Sequence, residues 1–183
     1  APPEGIYLIV DRQHQALEQH VGPGYHYVVQ EQVLGTGHAV LQAMPLLENY
    51  RGDLLILYGD TPLFRLSSLR GMLTRHRLKQ ADLTLFSAIT DLALPYGRIV
   101  RDEQGCVVES IEEAAASAEV RRIRELNLGA YVARADALFE RGDALLEHGV
   151  VGFEMREYTC PARSMLNSDA ACSESSKQND VDA

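Results

Sequence analysis

Two short stretches of the chain concentrate residues suited to holding a ligand. The first is "QEQVLGTGHAV", Gln30 to Val40, in which Gly35-Thr36-Gly37 follows an aromatic and β-branched run. Glycines in this setting cradle phosphates, open a dinucleotide-binding turn, or simply let a strand turn into a helix. The dinucleotide fingerprint matches poorly, because Val40 replaces its third glycine and Asp53 begins a strand instead of ending one. A phosphate loop needs a lysine directly after its glycines, and the chain has only Lys79 and Lys177. The second stretch is "LYGDTPL", Leu57 to Leu63. An aspartate at the carboxyl end of a buried strand lies where open α/β sheets bind ligands. A lone carboxylate there suits Mg²⁺, which takes a few protein oxygens and the rest from water and substrate phosphates. Asp60 equally suits the cap of the following turn or helix.

The apolar pattern supplies the elements that must hold these residues. Residues 6–10 ("IYLIV") and 25–30 read as strands, and 14–21 as a short helix ended by Gly22-Pro23-Gly24. Val40, Met44 and Leu47 recur with helical spacing, with Thr36 as their N-cap. Residues 53–60 form a nearly continuous apolar run, as in a strand covered on both faces. A helix follows over 66–80 and a strand over 82–90. After Tyr96, "GRIVRDEQGCVVESI" reads as two short antiparallel strands about Gly105. A helix is expected over 114–126, a strand over 128–133 and a helix over 135–148. Strand and helix alternate, so a Rossmann-like α/β domain with a mostly parallel sheet and a small antiparallel excursion is the expected fold. Residues 1–149 form that domain, and 150–183, polar and serine-rich, read as a disordered tail.

Charge and cysteine usage narrow the partners. With 26 acidic and 17 basic side chains the chain carries a net charge of -9, which repels a polyanionic backbone. Neither nucleic acid nor a membrane is an expected partner. Cys106, Cys160 and Cys172 are odd in number and widely spaced, so neither a disulfide framework nor a zinc pattern is expected. A reducing cytoplasm is the plain reading, with Cys106 a small buried hydrophobe. His38 reads as a solvent-facing residue of a first helical turn, and the arginines of "RRIR" (121–124) as solvated partners for nearby glutamates.

The ordered set "QEQVLGTGHAV", "LYGDTPL", "YGRIVRD", "IEE" and "ELNLGAYV" resembles the sugar-1-phosphate nucleotidyltransferases. It is most similar to the uridyltransferase domains that make UDP-N-acetylglucosamine. The resemblance implies a Rossmann-like fold and transfer of UMP from UTP to N-acetylglucosamine 1-phosphate with release of pyrophosphate. It implies that Gln30, Gly35 and Thr36 contact the uracil base, that Asp60 holds a catalytic Mg²⁺, and that Gly97, Glu112 and Asn127 hold the sugar and its N-acetyl group. It also implies a homo-oligomer for the full-length protein.

Departures from the family pattern carry their own expectations. The family opens with a strand and a loop of the form L-A-A-G-x-G-T-R-M that wraps the triphosphate, followed shortly by a lysine, and this chain starts downstream of both. No "GVN"-like second metal ligand occurs, Ala114-Ala115 replaces a usual Lys-Asp, and Leu128 replaces a usual Thr. The chain is therefore expected to be an incomplete copy with impaired turnover, and to leave the strands at 6–10 and 53–60 with unpaired edges. Two functions follow: the nucleotidyltransferase, for this or another sugar 1-phosphate, and a noncatalytic nucleotide-sugar-binding or structural domain.

Overall fold

The computed structural model describes residues 5–12 and 15–140. Strand β1 (Tyr7–Val10), helix α1 (Gln15–Val21) and strand β2 (His26–Val29) form one unit, in which the strands pair in parallel from Tyr7–His26 to Val10–Val29. Two short helices follow, α2 (Thr36–Leu41) and α3 (Met44–Leu47). The single helix expected here is split because Pro45 has no N–H to return to Leu41 in a continuous helix, whereas in the first turn of α3 none is needed.

The remaining elements are β3 (Asp53–Leu57), α4 (Leu66–Lys79), β4 (Leu83–Ile89), β5 (Arg98–Arg101), β6 (Val107–Ile111), β7 (Glu125–Arg134) and α5 (Ala135–Glu140). β7 is the axis of a five-stranded sheet, with β3 on one side, β4 on the other and β5 joining near its start. All its pairings are antiparallel. A mostly parallel sheet is therefore only partly realised: β1 and β2 are parallel, and β3 and β4 run alike on opposite sides of β7.

The direction of β7 follows from what precedes it. A parallel strand needs a crossover of a dozen or more residues, usually a helix. The helix expected over 114–126 is absent, replaced by 3₁₀ turns at Glu113–Ala115 and Val120–Arg122. Glu113 is drawn between Arg98 and Arg121, 3.0 and 3.2 Å away, and Ala116 is buried between the two turns. Tertiary contacts thus override an alanine-rich helical propensity. Without a crossover the chain re-enters beside the end of β4, Glu125 opposite Ile89, and runs back along it.

Because strand side chains alternate, β7 serves both layers of the core. Tyr131 and Ala133 face a cluster with Leu83, Leu85 and Ile99, while Ala130 and Val132 face Met72 of α4. β3 is covered on one face only: Leu54 and Ile56 pack on the first cluster, but Leu55 and Leu57 are 48% and 43% exposed. Helix α4 packs chiefly against β4 and β7 and reaches β3 at Asp53 through His76 and Arg77, so Leu55 and Leu57 stay uncovered and the strand is not buried on both faces. β1 pairs with β2 and β3 with β7, so each keeps one edge outside any ladder among the described residues, as expected.

The β5–β6 hairpin turns at Gly105, where φ is +83°. Arg101 clamps it to the sheet by donating from two nitrogens to the Glu125 carboxylate, both at 2.8 Å, while Ser87 donates to the same carboxylate at 2.7 Å. Cys106 is buried beside them as expected of a small apolar group, but it is disulfide-bonded. No helix among the described residues is long and apolar enough to cross a membrane. The expected helix beyond Glu140 and the tail from 150 lie outside the described residues.

His76 of α4 is almost fully buried, bonded through Nδ1 to the Thr84 hydroxyl at 2.9 Å, with Nε2 3.6 Å from the Asp53 carboxylate. Burial pushes its pKa below 6.5, with the Asp53 charge opposing and Arg134 and Arg77 reinforcing the shift. The unfolded chain therefore binds more protons at mildly acid pH. Stability due to neutral His76 is present above the unfolded pKa of 6.5 and is lost as pH falls below it toward the folded value. Denaturant melts between pH 8 and 5 are expected to show this fall, and His76→Gln to flatten it. An identical pH slope in the variant would refute the assignment.

Candidate functional site

The site is built where the turn from β2 into α2 meets the carboxyl end of β3 and the start of β7. Gln30 continues β2, its backbone N–H bonded to the Val10 carbonyl at 2.8 Å, which fixes the side chain at the sheet's end. That side chain is buried, and its amide nitrogen donates to the Gly35 carbonyl at 3.3 Å and to His38 Nδ1 at 2.8 Å. A carbonyl only accepts, so the Gln30 amide nitrogen faces Gly35, and the His38 ring lies between this amide and that of Gln42, whose nitrogen is 3.2 Å from Nε2. The Gln30 carbonyl oxygen keeps its acceptor capacity. His38 is thus half-buried and structural, not solvent-facing.

Gly35, not Thr36, is the N-cap of α2, and it adopts φ +103°, ψ 177°, a conformation for which glycine is required. No side-chain cap is made. The Thr36 hydroxyl is turned instead to the Tyr58 hydroxyl, 2.8 Å away, which ties the glycine loop to the residue following β3. Tyr58 in turn lies 3.4 Å, hydroxyl to hydroxyl, from the buried Tyr131. Tyr131 and the Asn127 amide share two contacts, at 2.8 and 3.2 Å, and Asn127 donates to Ser110 at 3.0 Å. Burial pushes the Tyr131 pKa far up, reinforced by Tyr58, so its hydroxyl stays protonated and can donate and accept at once.

At the far end of this path the Asn127 N–H donates to the Gly97 carbonyl at 2.9 Å. A Cβ on Gly97 would lie 3.3 Å from the Ile111 carbonyl and 3.5 Å from the Glu112 carboxylate. The absent side chain therefore leaves the approach to Glu112 open. Asp60 sits two residues beyond Tyr58, exposed, in the turn after β3. The cap of α4 is Arg65, and no side-chain bond of Asp60 occurs among the described residues, so the capping alternative does not hold. No cluster of three or more His, Cys, Asp or Glu capable of holding a metal occurs among the described residues. A single exposed carboxylate nevertheless fits Mg²⁺, which retains waters and is completed by substrate phosphates.

The fold thus joins Gln30 to Gly35, and Thr36 to Asn127, Gly97 and Glu112, with Asp60 next to the joining tyrosine. Sequence reasoning missed Tyr58, Tyr131 and Ser110, the groups that make the connection. The available signal was Tyr131 itself, a phenol inside the otherwise apolar run "LGAYVA", whose hydroxyl needs a partner when buried. Asn127 is also more constrained than expected. Its two amide hydrogens serve Ser110 and Tyr131 and its oxygen accepts from Gly129 and Tyr131, so its hydrogen-bonding capacity is filled within the protein.

Comparison with known proteins identifies what the chain is similar to. The family model for nucleotidyl transferase matches residues 4–182. The bifunctional protein GlmU of Bacillus licheniformis is 34% identical over 158 residues, 86% of this chain and 34% of that protein. GlmU of Enterococcus faecalis is 37% identical over 138 residues, 75% of this chain and 30% of its own length, and that of a Synechococcus species 46% over 105 residues, 57% and 17%. The chain therefore spans about a third or less of the curated relatives it matches. Among solved structures, apo UDP-glucose pyrophosphorylase superposes with a TM-score of 0.57 at 17% identity, covering 75% of this chain and 62% of that one, a likeness of fold alone.

Proposed function

This chain belongs to the nucleotidyl transferase family, and from that premise we propose that it is the nucleotide- and sugar-binding part of a uridylyltransferase. The substrates are UTP and N-acetylglucosamine 1-phosphate. The phosphate oxygen of the sugar attacks the α-phosphorus of UTP in line, forming the new P–O bond as pyrophosphate leaves. The observation that carries this reading is the unbroken polar path from Thr36 through Tyr58 and Tyr131 to Asn127, which links the base-side loop to the sugar-side residues.

Each residue has a role its surroundings support. The acceptor oxygen of Gln30 suits the ring N–H of uracil, while Gly35 and Thr36 let the backbone approach the base. Gly97 leaves space against Glu112, whose carboxylate accepts from sugar hydroxyl or amide groups, and Asn127 is held for the same sugar. Asp60 is the residue that would hold Mg²⁺, which when bound supplies charge neutralisation on the phosphates. The rest of the rate comes from holding two anionic reactants in register, which needs no protein nucleophile.

Calorimetric titration of the chain with UDP-N-acetylglucosamine, with and without Mg²⁺, tests the reading, beside pyrophosphate release from UTP and the sugar phosphate. Saturable binding that Mg²⁺ tightens, with preference for uridine over other nucleotides, is the expected result. Failure to bind either UTP or the UDP-sugar would sink it.

A further inference from the structure

A second polar feature lies apart from this set of residues. Between the loop after β4 (Thr90 to Ala93) and the turn at Val120–Arg122 opens a cleft of about 160 Å³, lined by Arg98, Arg121, Arg122 and Arg124. Four guanidinium groups there meet two carboxylates: Arg124 pairs with Asp91 at 2.8 Å, and Arg98 and Arg121 share Glu113. Arg122 has no ion-pair partner among the described residues. An excess of positive charge gathered in one cleft of a chain with net charge -9 is a local arrangement, not a reflection of composition.

Arg98 supplies an independent observation. It is only 5% exposed, and its Nε is buried with no hydrogen-bond partner. Its Nη1 donates to the Tyr96 carbonyl and its Nη2 lies 3.0 Å from Glu113 Oε2, which leaves Nε as the one unmet donor of this guanidinium among the described residues. A buried charged donor left unmade is costly and calls for a further acceptor.

We propose that this cleft is a binding site for a small multivalent oxyanion of the phosphate or pyrophosphate class. Arginine forks match tetrahedral oxyanions in two-pronged fashion, and their charge complements an anion in a way a neutral ligand cannot. The volume sets the size: pockets for drug-sized ligands measure about 300–1,000 Å³, so this smaller cleft suits a phosphate or pyrophosphate group and not a complete nucleotide. None of the residues assigned to uracil, sugar or metal lines it, and the inference does not rest on the proposed reaction.

The test is titration of the 183-residue chain with sodium pyrophosphate at constant ionic strength, followed by calorimetry and by backbone amide shifts. Saturable binding is expected, with shifts at Thr90–Ala93 and Val120–Arg124. Arg122→Ser combined with Arg124→Ser is expected to weaken it at least about tenfold, because both side chains are exposed and their loss removes cleft charge without opening the core. Shifts confined to Gly35–Thr36 and Gly59–Asp60, an unchanged Kd in the double variant, or no saturable binding would each overturn the proposal. Should the double variant fail to fold, the shift map of the unsubstituted chain decides alone.

Discussion

Gly129→Ala is expected to destabilise the fold by about 2–5 kcal/mol, from a backbone penalty of about 1–2 and an overpacking penalty of about 1–3. Gly129 lies inside β7 with φ +70°, and a Cβ there would stand 2.4 Å from Cδ2 and 2.6 Å from Cε2 of Tyr58. Those atoms belong to a rigid ring, so relief requires moving the whole tyrosine. Moving it breaks the Thr36–Tyr58 bond and loosens the site as well as the core. In a chain of this size each kcal/mol shifts the melting temperature by about 2–4 °C, so a fall of roughly 4–20 °C is expected by calorimetry. Adding Tyr58→Ala should remove the steric part and leave the backbone part, so the two substitutions will not be additive. A melting shift of less than about 2 °C for Gly129→Ala would show that the ring is not held where it is described.

Asp60→Ala is expected to abolish the Mg²⁺-dependent tightening of UTP and UDP-sugar binding while leaving the melting temperature nearly unchanged. The side chain is exposed and makes no hydrogen bond among the described residues, so nothing in the fold leans on it. Where pyrophosphate release is measurable, a loss of about 10²–10³ in kcat is expected, the scale on which removal of one charge-stabilising group costs roughly 3–4 kcal/mol. Calorimetry with and without Mg²⁺ reads the first effect and a coupled pyrophosphate assay the second. An unaltered metal response in the variant would assign the ion to another residue. A large fall in melting temperature would instead give Asp60 a structural role.

Much of the site is legible as a list of residues and little of it as an arrangement. The glycine loop, the "LYGD" turn and the "LNLG" strand stand out because each is a local pattern: glycines where the backbone must turn, a carboxylate after an apolar run, an asparagine inside one. Gln30 was identified without its partner, since the bond to His38 spans the loop and depends on Gly35 adopting φ +103°. The groups that unite the set were missed because Tyr58 and Tyr131 are 73 residues apart.

The sequence by itself determined the seven short strands, or all but their ends, the breaks at Gly22-Pro23-Gly24, the hairpin about Gly105 and the order of the motifs. These follow from side-chain period and backbone preference over a few neighbours. The tertiary structure alone decided that "EEAAASAEVRR" is not a helix, because ion pairs from Arg98 and Arg121 to Glu113 outweigh propensities of a few tenths of a kcal/mol per residue. It decided that β7 runs antiparallel between β3 and β4 once no crossover helix was available. It also decided that Asn127 is saturated by protein partners before any ligand arrives. Each of these depends on contacts between residues distant in the chain, whose geometry no local pattern encodes.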